Sequence, residues 1–289
     1  MPIIVVPKKI TLLLLILSIL CSINSSAASD WKELSSEHFI LYYMNDENFS
    51  SQVLNKAENY YQRIASDLGY ARNSNFWTWN NRAKIYIYPD HGSFMRSTGQ
   101  PDWSKGMADY NKKEIVSFLG SGSFVESILP HEMTHLIFRD FVGFKGEIPL
   151  WLEEGIAQWE EEKDREMFRD YLGKYLSKNL LISLEELNVL DIRNIKKEDR
   201  LYLRVIYAGE SKGFPVFLSG DNLVKVYYME SVSIVSFLIE IYGTDSFVSL
   251  CRGLREGKTF ADALKSAYSP LINSMSELEN KWIEYLRKF

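Results

Sequence analysis

The spacing of apolar positions along the chain changes character near residue 120. Before that point, "EHFILYYM" (Glu37 to Met44) and "AKIYIY" (Ala83 to Tyr88) are short runs of β-branched and aromatic residues that predict strands, and the pattern from about Phe49 to Leu68 predicts a helix between them. "KGMADYNKKEIVSFL" (Lys105 to Leu119) reads as a hairpin turning at Asn111 to Lys113. After the break at Gly120 to Ser123 the apolar residues recur at helical spacing almost to the end. Helices are expected over Phe124 to Asp140, Leu150 to Glu161, Arg165 to Leu176, Leu184 to Val189, Val224 to Tyr242, Phe247 to Arg255, Phe260 to Ala267 and Ser276 to Arg287. Asp191 to Asn222 has the weakest pattern and is expected to form loops or short strands. No repeat or low-complexity linker divides the chain. The expected fold is α+β: a small mixed sheet with helices over residues 29–122, then a mainly helical half over 123–289, together one domain.

The first residues change the picture of where the protein works. Lys8 and Lys9 precede an apolar run from Ile10 to about Ile23, and small residues follow at Ser25 to Ala28, the pattern of a signal peptide over residues 1–28. As a helix that run is about 21 Å long, shorter than a bilayer requires. The expectation is export to the periplasm or the medium, with no membrane partner after cleavage. Hydrophobic residues make up 46% of the chain and the formal charge is −5, more negative once two lysines are removed, which speaks for a real core and against nucleic acid as a partner. Cys251 is the one cysteine outside that segment, so no intrachain disulfide is expected and its apolar context, "FVSLCRGL", predicts a packed thiol.

Chemistry enters at "LPHEMTHLI" (Leu129 to Ile137). On a helix His131 and His135 lie about 40° apart in projection, and Glu132 flanks His131 at about 100°. One helix thus offers two imidazoles to a metal with a carboxylate beside them; a pair of hydrogen-bonded core histidines is the plainer alternative. Pro130 requires the helix to begin or kink there, and both histidines follow it. Phe138 and Phe141 stand where a metzincin would have glycine and histidine, and the two other histidines, His38 and His91, both lie upstream. A metal site therefore needs a downstream carboxylate, and "GEIPLWLEEGIAQWEE" offers several, on a helix that Pro149 can initiate. Taken alone, that acidic run reads as a solvated helix face.

"HEMTH" and "WLEEGIA" together, with 18 residues between His135 and Glu154, resemble the gluzincin metallopeptidases, the group that includes large zinc aminopeptidases and smaller peptidase MA-like proteins. The likeness continues through "LISLEELNVL", "YYMESVSIVSFLIEIYG", "LREGKTFADAL" and "ELENKWIEYLRKF". It implies one Zn²⁺ on His131, His135 and Glu154 rather than Glu153, with Gly155 allowing two helices to approach closely, and a peptide or protein as substrate. It also implies Glu132 as general base and Tyr228 as the oxyanion donor, although Ser231 replaces a family glycine. A slip of one residue would give that role to Tyr227, and a core tyrosine in line with Val232, Val235 and Ile239 is the plain alternative. Gln158, one turn beyond Glu154, could hydrogen-bond a ligand, although a plain solvent-facing residue is the expectation, and Asp140, on the far side of its helix, is expected to have no role. "GMADY" (Gly106 to Tyr110) lies where aminopeptidases carry a Gly-x-Met-Glu-Asn strand, but its Glu and Asn are missing, which speaks against aminopeptidase activity. The aromatics of "NFWTWNN" and "PDWS" could line a peptide or glycan surface, but packing under the sheet is the expectation. The leading expectation is an exported zinc metallopeptidase; the rival is a non-catalytic peptide- or envelope-binding module on the same scaffold. A serine or cysteine hydrolase is disfavoured, because no nucleophile motif accompanies the remaining histidines.

Overall fold

The computed structural model describes residues 31–69, 77–100, 102, 104–144, 148–161, 181–196, 198–206 and 214–288. Its first sheet contains β1 (Lys32–Ser35), β2 (Phe39–Tyr43), β3 (Ala83–Tyr88), β4 (Gly106–Asp109) and β5 (Glu114–Phe118), in the order β1-β2-β3-β5-β4. Helix α1 (Glu47–Asp67) crosses between the parallel strands β2 and β3. Asp46 caps it by accepting the Phe49 N–H. A short helix, α2 (His91–Thr98), follows β3, and β4 then pairs antiparallel with β5 as the expected hairpin. Strand residues alternate as a half-buried sheet demands: Phe39, Leu41, Ile85, Ile87 and Ile115 enter the main core, while Val116 and Phe118 meet Phe94 of α2 on the other side.

A π-helical turn at Phe124–Ile128 leads into α3 (Leu129–Val142), whose first turn holds Pro130. Proline is tolerated there because the first N–H groups of a helix have no partner within it. Met133, Leu136, Ile137, Phe138 and Phe141 bury one side of α3, at about 1.5–3 kcal/mol for each large apolar side chain. Helix α4 (Leu150–Trp159) starts directly after Pro149. Beyond it lie β6 (Leu181–Ile182), α5 (Leu184–Val189), β7 (Arg200–Ile206) and β8 (Phe214–Ser219), with the strands forming a second, antiparallel sheet. Four helices complete the chain: α6 (Gly220–Tyr242), α7 (Thr244–Arg255), α8 (Phe260–Tyr268) and α9 (Met275–Leu286). Among the described residues no helix is long and apolar enough to cross a membrane.

The α+β class is as expected, and so are most elements. The helix expected over Arg165 to Leu176 lies outside the described residues. Helix α6 begins four residues before the expected Val224, and the weakly patterned stretch before it carries two paired strands. Trp77 is buried, in line with expectation, whereas Trp79 is 83% exposed; Trp103 lies outside the described residues. Cys251 is buried and free, with burial pushing its thiol up to about 12.

One crossing brings backbones into contact. A Cβ on Gly155 of α4 would stand 2.5 Å from the Ser231 carbonyl oxygen of α6, so this glycine is what permits the approach. On α6, Glu230 is buried and both its carboxyl oxygens face the Ile182 N–H, at 3.1 and 3.2 Å. Burial, with Glu279 nearby, lifts this carboxyl well above its ordinary 4.5, so the folded chain keeps a proton that the unfolded chain releases. Stability is therefore full below pH 4.5 and falls as pH rises toward the raised native value, by about 1.4 kcal/mol per pH unit within that window. Glu230→Gln, which cannot ionise, should flatten this dependence: its melting temperature relative to wild type should rise as pH increases from 4.5 toward the raised native value. A constant difference across that range would contradict the assignment.

Candidate metal centre

Helices α3 and α4 meet where His131, His135 and Glu154 converge. The Nε2 atoms of the two histidines are 3.1 Å apart, and Glu154 Oε2 lies 3.5 Å from His131 Nε2 and 3.6 Å from His135 Nε2. Ligand atoms about 2.0–2.1 Å from one tetrahedral zinc ion are about 3.3 Å apart, so this triangle has the size of one face of such a site. Glu154 Oε2 is buried and has no hydrogen-bond partner. A buried carboxylate oxygen without a hydrogen bond, facing two imidazole nitrogens, calls for positive charge, which protonated imidazoles or a metal ion would supply, and the donor set fits zinc. Among the described residues this is the one His/Cys/Asp/Glu cluster with metal-binding geometry. His38 instead pairs with Glu58 at 2.6 Å, and His91 Nε2 lies 3.2 Å from the Ser104 carbonyl oxygen.

The outward nitrogens of both histidines face further carboxylates. His131 Nδ1 is 2.7 Å from Glu161 Oε1, and Glu161 is held in turn by Gln158 Nε2 at 2.7 Å and by the Ser127 hydroxyl. His135 Nδ1 is 3.5 Å from Glu153 Oε1. Arg139 donates Nε to Glu153 Oε1 at 2.9 Å and its terminal nitrogen to Oε2, and the Tyr110 hydroxyl donates to Oε1 at 3.2 Å. At His131 a carboxylate accepting from Nδ1–H leaves the Nε2 lone pair free for a metal, whereas His135 Nδ1 is near Glu153 without a hydrogen bond. Two of the plainer readings are thereby set aside. Gln158 does not simply face solvent, because it braces Glu161. The acidic run is not a solvated face: Glu153, Glu160 and Glu161 are buried, each against cationic or hydrogen-donating partners brought from elsewhere in the chain.

The electrostatics follow from packing these charges together. Burial opposes the imidazolium of His131, but the carboxylates of Glu154 and Glu161 outweigh it and carry the pKa to about 9. Burial would raise Glu154, yet the charges on His135 and His131 pull it well below the usual carboxylate range. Burial lifts Glu132 above its ordinary range; the two imidazoles oppose this, and Glu154 and Glu161 reinforce it. A Cβ built on Gly106 of β4 would lie 3.9 Å from Glu132 Cγ, which places the edge strand beside this carboxylate. Asp140 lies elsewhere, accepting from Trp77 Nε1 at 2.7 Å and Lys113 Nζ at 2.8 Å.

Both candidate tyrosines are on α6. Tyr228 is half-buried, and its phenol is raised first by burial and then by the charges of Glu154 and Glu132. Tyr227 is fully buried with its hydroxyl unpartnered, and the charges acting on it besides burial are those of Glu154, Asp191 and Arg193. Tyr228 thus shares the surroundings of Glu132. Arg193, which the sequence reading did not single out, is gripped by Asp191 at 2.8 and 2.5 Å and is close enough to feel Glu153 and Glu154.

The α+β scaffold brings two histidines and a carboxylate together from adjacent helices, a group that could hold a metal ion. Residues 211–288 match the family model described as Peptidase MA superfamily, which supports a gluzincin-like family. The matched segment contains Tyr228 and the last four helices and lies downstream of His131, His135 and Glu154. No curated protein matches the chain.

Proposed function

We propose that the protein is an exported zinc metallopeptidase that hydrolyses peptide bonds, with residues 29–289 as one peptidase MA-like domain following a cleaved signal peptide, and with a catalytic core related to that of the large zinc aminopeptidases. The observation that carries this reading is the triangle of His131 Nε2, His135 Nε2 and the orphaned Glu154 Oε2, with Glu132 alongside. These three residues would hold the ion, and zinc bound there would acidify a water and polarise a carbonyl.

The rest of the chemistry belongs to the chain. Glu132, its carboxyl raised above its ordinary range by burial, takes a proton from the attacking water and passes it to the departing amine nitrogen. Tyr228 keeps its proton, because burial and adjacent carboxylates oppose ionisation, and donates it in a hydrogen bond to the tetrahedral oxyanion. Strand β4, at the edge of its sheet and beside Glu132, pairs with the substrate backbone. Cleavage of a peptide library that stops with chelator and returns with zinc, alongside about one zinc per chain, is the expected result. Zinc-loaded protein that cuts nothing would leave only the scaffold.

The donor assignment is separable. Tyr228→Phe should lower kcat about 10²- to 10³-fold with KM and zinc content nearly constant, since the hydrogen bond matters mainly in the transition state. Tyr227→Phe deletes a buried hydroxyl that has no partner, so activity should persist and stability should hold or rise. The opposite kinetic outcome would shift the register by one.

A further inference from the structure

We propose that Tyr110 and Phe144 form a subsite that takes a large apolar side chain, preferably aromatic, of the peptide substrate; this rests on the peptidase reading above. Phe144 is 67% exposed and Tyr110 39%, which is unusual for aromatic rings so near a buried centre. Neither ring is loose. Their centroids are 6.1 Å apart in an edge-to-face arrangement, and the Arg139 guanidinium lies over Phe144 at 5.5 Å. The Tyr110 hydroxyl and Arg139 both donate to Glu153, the carboxylate that faces His135 and precedes Glu154 in the chain. The platform is thus tied to the metal centre by one side chain, and its ordering cost is met before any ligand arrives.

Position and polarity select the ligand. Tyr110 directly follows β4, whose Gly106 lies against Glu132. An extended peptide paired with the free edge of β4 advances about 3.3 Å per residue, so a side chain about three or four residues from the reacting carbonyl comes level with Tyr110. Glu153 neutralises Arg139, whose guanidinium lies over the Phe144 ring. What remains open is aromatic surface, which suits an apolar ring and gives no partner to an acidic side chain.

The test uses zinc-loaded protein and end-blocked decapeptides in which one phenylalanine is moved through an alanine–serine background. Wild type should show one position, a few residues from the cut, where phenylalanine raises kcat/KM about tenfold over alanine. Phe144→Ala should bring that ratio near one, Phe144→Trp should keep it, and Trp79→Ala, a similarly exposed ring outside the site, should not alter it. Zinc content and melting temperature are measured on each variant; if Phe144→Ala loses either, Phe144→Ser is judged instead. A ratio that survives removal of the Phe144 ring, or cleavage by wild type with no preferred position, overturns the subsite. Binding of the same peptides to Glu132→Gln protein, followed by fluorescence anisotropy, separates the two readings. A Phe144-dependent preference in binding without cleavage by wild type upholds the subsite and rejects the peptidase. Cleavage without preference does the reverse, and the absence of both rejects both.

Discussion

Glu132→Gln should retain about one zinc per chain and lose hydrolysis by about 10²- to 10⁴-fold, the contribution usual for a positioned proton carrier. The carboxyl belongs to none of the three converging ligand atoms, so the amide leaves the metal triangle intact. It does remove a carboxyl that burial raises above its ordinary range. Glutamine also matches glutamate in size, so helix α3 and strand β4 keep their contact. Metal analysis and turnover on the same preparation decide the matter: hydrolysis near wild-type levels would exclude Glu132 as the base, and loss of zinc would make it a ligand.

The second large effect separates adjacent acids. Glu154→Gln replaces the buried oxygen that faces both Nε2 atoms and should leave dialysed protein far short of one zinc per chain. Glu153→Gln should weaken zinc binding by about 10- to 100-fold, as expected when a carboxylate that orients a ligand is lost. Its larger signature is in the fold: Arg139, mostly buried, loses its charged partner, at about 3 kcal/mol or more. Without metal, both variants should melt below the wild-type apoprotein: Glu154→Gln removes the charge that the two imidazoles hold well below the usual carboxylate range, and Glu153→Gln removes the partner of Arg139. Equal zinc loss in the two variants would overturn the distinction between ligand and support.

The parts of this arrangement that could be read from sequence are those with a local cause. The strand Ala83–Tyr88 and the helix Leu184–Val189 fall where periodicity places them, because each has an apolar face of its own. The distance between the histidines is a property of one helix, and the distance to Glu154 a spacing between two. Glu161 was missed because "EEEKD" looks like a solvated end; its burial depends on His131, Gln158 and Ser127, two of them from another segment, which no local pattern reveals. The same holds for Glu153, whose partners Tyr110 and Arg139 come from a hairpin and a different helix. Strand β1 is short and mostly exposed, so it carries no apolar signature. Helix α2 buries only Phe94, though Asp90, which caps it by accepting from the Ser93 N–H, was a signal that could have found it.

The bare contact at Gly155 has a consequence for how the protein tolerates change. Helix α4 brings Glu154 and helix α6 brings Tyr228, and at their crossing the Gly155 backbone meets the Ser231 carbonyl, with the Val235 side chain packed beside it. A substitution on the outer side of α6 therefore has little that is compressible at that point through which to move one helix without the other. The carboxylate and the phenol travel as a pair, and sequence drift in the surrounding core leaves their separation largely untouched. The spacing from Glu154 to the histidines has no such insulation, because it runs through Glu153, Gln158, Glu161 and Arg139, any one of which a single mutation can alter.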